Sequence, residues 1–213
     1  MYNPTRRNRN IGTSKQGHGV DNKFVIPQSW HDSHLYYEKL GIYTLIKRFI
    51  KKKEYTFLVE HTRKNSYHAC TIDDIVQILS FIPESDIKDL HLIILRQPKR
   101  KEEILKPVWG RFCHFFGVDK RFEGPAIILE AMDFSRKIKW EKSQTPEDKK
   151  EFERLIADGQ KYIENKNEYI IQPKIFTTRK NQLYRNFLQE IGHYVQYLQI
   201  KKNSIKKENA WYN

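Results

Sequence analysis

The chain has 213 residues, with 39 Lys and Arg against 26 Asp and Glu, a net charge of +13 and a pI near 9.6. That length suits one domain with a decorated end, and 13% aromatics at a mean hydropathy of −0.77 argue for a soluble globular protein over a disordered one. The longest apolar runs, Leu90 to Leu95 and Ala126 to Leu129, are strand-sized, so a membrane-spanning helix is excluded; two cysteines, Cys70 and Cys113, make no disulfide framework and fit a reducing cytoplasm.

Residues 1–23 read as a flexible basic arm around Arg6-Arg7-Asn8-Arg9, residues 24–200 as the folded domain and residues 201–213 as a polar basic tail. The arm has no apolar core that would make it a secretory signal. It suits a phosphate-binding tether or a solvated terminus. From Ser29, the spacing of Trp30, Leu35, Tyr36, Leu40, Tyr43, Leu45, Ile46 and Phe49 predicts a helix or helix pair broken near Gly41. The cations from Lys47 to Lys53 would then complement a helix C-terminus.

Tyr55 to His61 is aromatic and β-branched, and predicts the first strand. Thr71-Ile72-Asp73-Asp74 matches a capping box opening a helix that Pro83 ends. His68 and Cys70 precede it without a second pair at metal-ligand spacing, so they read as structural. Strands follow at Leu90 to Leu95, Val108 to Phe116 and Ala126 to Ala131, with a basic turn at Gln97 to Lys101 and a break at Gly124-Pro125. Thr145-Pro146-Glu147-Asp148 starts a helix expected to reach about Glu164. A loop at Asn165 to Asn167 and a short extended piece at Tyr169 to Ile171 lead to a last helix, from about Thr178 to Ile200.

On that last helix Leu183, Phe187, Ile191, Tyr194 and Leu198 share one side, and Gln189 and His193 lie roughly opposite. Gly192 costs about 1 kcal/mol of helix propensity relative to alanine, which points to close approach of another backbone there. The run Gln189-Glu190-Ile191-Gly192-His193 has the form of an H-E-x-x-H zinc helix with its first histidine replaced. In that pattern two imidazoles four residues apart bind the metal, and the adjoining glutamate holds the metal-bound water as general base. An amide is a weak ligand for zinc, so zinc affinity falls steeply here.

The segment from Gln189 to Tyr194 resembles the H-E-[IL]-G-H-[YWF] helix of zincin-type metallopeptidases, and Tyr55 to Tyr197 is similar to bacterial zincin-like proteins with an intact motif. The resemblance implies an α+β, zincin-like fold: a small mixed sheet, an edge strand over a cleft, and the motif helix below it. It implies Glu190 as general base, His193 as a metal ligand and Gln189 at the degenerate first ligand position. A gluzincin-type third ligand would come from a following helix, where Glu208 is the sole carboxylate after His193, in a segment with little helical periodicity. Gln196 and Gln199 stand where the metzincin extension would need its glycine and third histidine.

The expectation is therefore a metallopeptidase-like protein with an impaired zinc site, retaining peptide or protein binding along the edge strand or in the vacated cleft. The alternative is a nucleic-acid-associated module using the arm and the Lys47–Lys53 and Lys99–Lys101 clusters, with weak, salt-dependent binding. The positive charge fits either a polyanionic partner or the lysine-rich usage of an AT-rich genome. No glycine-rich phosphate loop is present to support a nucleotide enzyme.

Overall fold

A computed structural model describes residues 39–105, 108–118 and 122–211, with side chains described throughout except at 104–105 and 204–211. Its centre is a five-stranded mixed sheet in an α+β fold. The strands are β1 (Tyr43–Ile50), β2 (Lys53–Glu60), β4 (Leu92–Arg96), β5 (Gly110–Gly117) and β6 (Glu123–Glu130), in the order β1-β2-β4-β6-β5. β2, β4 and β6 run parallel, while β1 and β5 pair antiparallel at the two ends of that order. Parallel neighbours need a crossover, and α1 (Ile72–Phe81) supplies the one between β2 and β4.

The central strands read as unbroken apolar runs because both of their faces are covered. Phe57, Ile93, Leu95, Ile127 and Leu129 face one layer of core, which also contains Ile75 and Leu79 of α1 and Leu183, Phe187, Ile191 and Tyr194 of the last helical stretch. Leu58, Leu92, Ile94, Ala126 and Ile128 face the other, against Leu40, Tyr43, Val118 and Phe122. Alternation along each strand thus sorts the same sequence run into two cores.

The capping box forms as the sequence indicates. Thr71 Oγ1 accepts the Asp74 N–H at 3.2 Å, and the Asp74 carboxylate accepts the Thr71 N–H at 2.8 Å. The helix expected between Leu40 and Phe49 does not form: Tyr43–Ile50 is β1, and the part of that expectation before residue 39 lies outside the described residues, as does the basic arm. The reason is local. Tyr-Thr-Leu-Ile-Lys-Arg-Phe-Ile is rich in β-branched and aromatic residues, and it closes a hairpin in which Ile50 pairs with Lys53. The Lys47–Lys53 run is therefore a hairpin and its turn, not a helix end.

Gly124 and Pro125 lie inside β6 and do not break the chain before it. Proline lacks a ladder donor, and the β5 register shifts between Cys113 and Phe116, opposite it, as a bulge would require. The basic turn after β4 is brief, since α2 (Arg100–Leu105) begins within it.

A smaller unit follows. β3 (Ser66–Tyr67) pairs with β7 (Met132–Asp133); β8 (Ile138–Glu141), β10 (Glu168–Ile171) and β9 (Tyr162–Glu164) make a three-stranded sheet around α3 (Pro146–Ala157). Phe152, Leu155 and Ile171 form its core with Trp140 and Tyr169. α3 stops short of Glu164: Gly159 turns at φ 94°, and Tyr162 starts β9, where it packs on Tyr169 and Phe152. Cross-strand aromatic packing outweighs the helical spacing of Tyr162.

The last helical stretch begins with α4 (Ile175–Asn181), passes through a π segment (Gln182–Phe187) and continues as α5 (Leu188–Trp211). Its backbone stays helical to Trp211, past Ile200, although the tail lacks apolar periodicity. Among the described residues no helix is long and apolar enough to cross a membrane.

Candidate functional site

The motif helix reaches its place through the π segment. Gln182 is buried, and its Nε2 donates to the Trp109 carbonyl at 3.1 Å and the Glu130 carbonyl at 2.7 Å. One amide so pins the helix to the start of β5 and the end of β6. The Cys70 thiol donates to Gln182 Oε1 at 3.4 Å. Close approach also needs Gly110: a β-carbon there would lie 3.2 Å from the Asn186 β-carbon and 3.3 Å from Leu129 Cδ2. Gly192, by contrast, has nothing within 4 Å of where its β-carbon would be. The close contact expected at Gly192 belongs to Gly110.

β5 is the strand nearest α5, and its ladder fixes which groups face the helix. The Glu130 N–H donates to the Trp109 carbonyl at 3.2 Å, so paired hydrogen bonds to β6 fall at 109, 111 and 113. The N–H of Phe112 consequently points away from β6. It favours the ionised form of the Glu190 carboxylate nearby.

Around that contact lies a cleft of about 270 Å³ lined by Phe112, His114, Glu190, His193, Tyr197 and their neighbours. Phe112 and His114, two residues apart, share a face of β5. The Phe112 ring meets Tyr194 edge-on at 5.5 Å, and the His114 ring meets Tyr197 edge-on at 4.9 Å. Glu190 is 9% exposed, and burial raises its pKa against the opposing pull of the Phe112 N–H, His193 and Arg111. A buried carboxylate beside an exposed imidazole can exchange a proton with a bound group.

The motif residues separate on this geometry. Glu190 and His193 line the cleft, while Gln189 is exposed and outside its lining. The Glu208 side chain lies outside the described residues. Among the described residues, no three or more His, Cys, Asp or Glu gather as a metal-binding group. His114, His193 and Glu190 line the cleft without gathering as a metal-binding group, and Gln189, in the first ligand position of the helix pattern, is a weak amide that lies outside the lining. His114 and Tyr197 were not singled out in the sequence. Their signals were position only: two residues beyond Phe112 on a strand, and four beyond His193 on a helix.

His68 and Cys70 are structural, as expected. His68 Nε2 lies 2.8 Å from the Glu60 carbonyl, and burial lowers the pKa of its ring. Cys70 is buried, and burial pushes its thiol up to about 12.

A roomier cavity, about 310 Å³, opens near the carboxyl ends of β4 and β6, between Trp109, Met132 and Ile138. Its carboxylates are already committed. Glu130 Oε1 accepts from Arg96 at 3.0 Å and Arg111 at 2.8 Å, Glu103 pairs with Arg63 at 2.7 Å, and Asp133 accepts from Ser135. Larger volume does not make this the site of chemistry. Glu190 and His193, by contrast, line the β5–α5 cleft together. No protein-family model, curated protein or solved structure matches the chain.

Proposed function

We propose that the chain is a zincin-like, metallopeptidase-type protein with an impaired metal site, which binds an extended peptide or protein segment in the β5–α5 cleft and does not hydrolyse it. One observation supports the reading: an antiparallel strand at the end of the sheet order lines one cleft with Glu190 and His193 of the motif helix. The resemblance implies such a pairing of edge strand and motif helix. An extended segment could add to β5 through backbone hydrogen bonds, as strand addition requires.

Gln189 accounts for the lack of catalysis in this reading. It stands where the first imidazole of the pattern would be, and an amide is a weak ligand for zinc, so the metal-bound water that Glu190 would activate is not supplied. The test is proteolysis of an unfolded protein substrate with added zinc, with Glu190→Gln as the blank. Cleavage by the unaltered chain should not exceed the blank. Cleavage above the blank would overturn the non-catalytic reading.

A further inference from the structure

The turn joining β1 to β2 has two residues, Lys51 and Lys52, with φ of 47° and 67°. Consecutive left-handed residues between a closing pair are the type I′ arrangement, which Asn-Gly fills with least strain because a β-carbon in that region crowds the backbone. Among the described residues the other non-glycine position with positive φ is Asn65, the residue type expected there. An AT-rich genome would supply asparagine as readily as lysine. Two lysines at the tip therefore point to a use for the charge.

The surrounding side chains say what the charge could meet. Lys53 is an anchor, its ammonium donating to the carbonyls of Ile87, Lys88 and Leu90. Lys47 is neutralised by Glu54 at 2.8 Å. Lys51 donates to the Ile82 carbonyl, and Arg48 to the Lys47 carbonyl, both uncharged acceptors. No acidic side chain pairs with Arg48, Lys51 or Lys52 among the described residues. Next to the turn Phe49 is 73% exposed, and Leu45, on the same face of β1, is 40% exposed, whereas Arg48 alternates to the other face. A large exposed ring beside a turn that carries unneutralised cations can stack an unpaired base while its phosphates are held. A duplex offers no free base face to such a ring.

We propose that the β1–β2 hairpin is a contact surface for single-stranded nucleic acid, with Lys51 and Lys52 on phosphates and Phe49 stacking on a base. This is independent of the β5–α5 cleft.

The test is fluorescence anisotropy of a labelled, mixed-sequence single-stranded oligonucleotide of about 15 nucleotides, bound by the full chain across a salt series. The Lys51→Asn/Lys52→Gly variant should melt at or above the temperature of the parent, because the turn is relaxed, yet bind at least about fivefold more weakly, with a log–log salt slope smaller by about 1.4. Phe49→Ala, at an exposed position and outside the turn, should weaken binding severalfold and leave the slope unchanged. Parent-like binding by both variants would overturn the proposal. So would equal affinity for the matching duplex, or binding of phosphatidylserine vesicles in preference to the oligonucleotide.

Discussion

Glu130 and Glu190 are both buried carboxylates whose pKa burial raises, yet their surroundings give them opposite roles. Glu130 ends a central strand and is clasped by the guanidinium groups of Arg96 and Arg111, with Arg96 itself only 1% exposed and also paired to Glu102. Glu190 lines an open cleft. A carboxylate between two fixed cations is structural, and one that lines a cleft is available to a partner. Burial alone therefore does not identify a working group.

The difference can be broken most forcefully at the sealed end. Arg96→Ala leaves buried carboxylates short of a cation and should lower stability by about 3–5 kcal/mol, read by urea unfolding. A loss under about 1 kcal/mol would show that this cluster does not hold the sheet ends together. The helix–strand contact beside the cleft is next. Gly110→Ala forces Asn186 and Leu129 aside and should cost about 1–2 kcal/mol, whereas Gly192→Ala meets open space and should gain about 0.5–1 kcal/mol from helix propensity. Equal effects at the two glycines would place the close contact elsewhere.

The smallest effect is at Glu190, and it depends on pH. A raised carboxyl pKa in the folded state contributes stability that is fully present below the ordinary glutamate value near 4.5 and is lost as pH rises through the folded value. Glu190→Gln has no such loss. The variant's stability relative to the parent should thus improve from acid toward neutral pH, by about 1 kcal/mol or less. A trend in the opposite direction would mean that the cleft stabilises the ionised form.

Much of this contrast was legible before the structure. The capping box at Thr71, the strand at Leu92 and the faces of the motif helix followed from short-range spacing, and Phe187, Ile191 and Tyr194 are buried as that spacing requires. β1 was misread because Tyr43, Ile46 and Ile50 satisfy a helical period; in the strand Tyr43 packs on one core and Ile46 and Ile50 on the other, and only pairing with β2 decides between the two. The same holds for Tyr162, whose ring partners are distant in sequence. Within the site, the placement of Glu190 and His193 on one cleft was readable from the motif. The juxtaposition of Glu190 with Phe112 and His114 and the Gln182 clamp arise from contacts between remote segments, which no local pattern encodes.

The zinc content of the purified chain, measured by native mass spectrometry alongside Gln189→His, bears most directly on the impaired site. The unaltered protein should carry well under one zinc per chain and the variant more. A full zinc on the unaltered protein would contradict the reading that Gln189 has disabled the site.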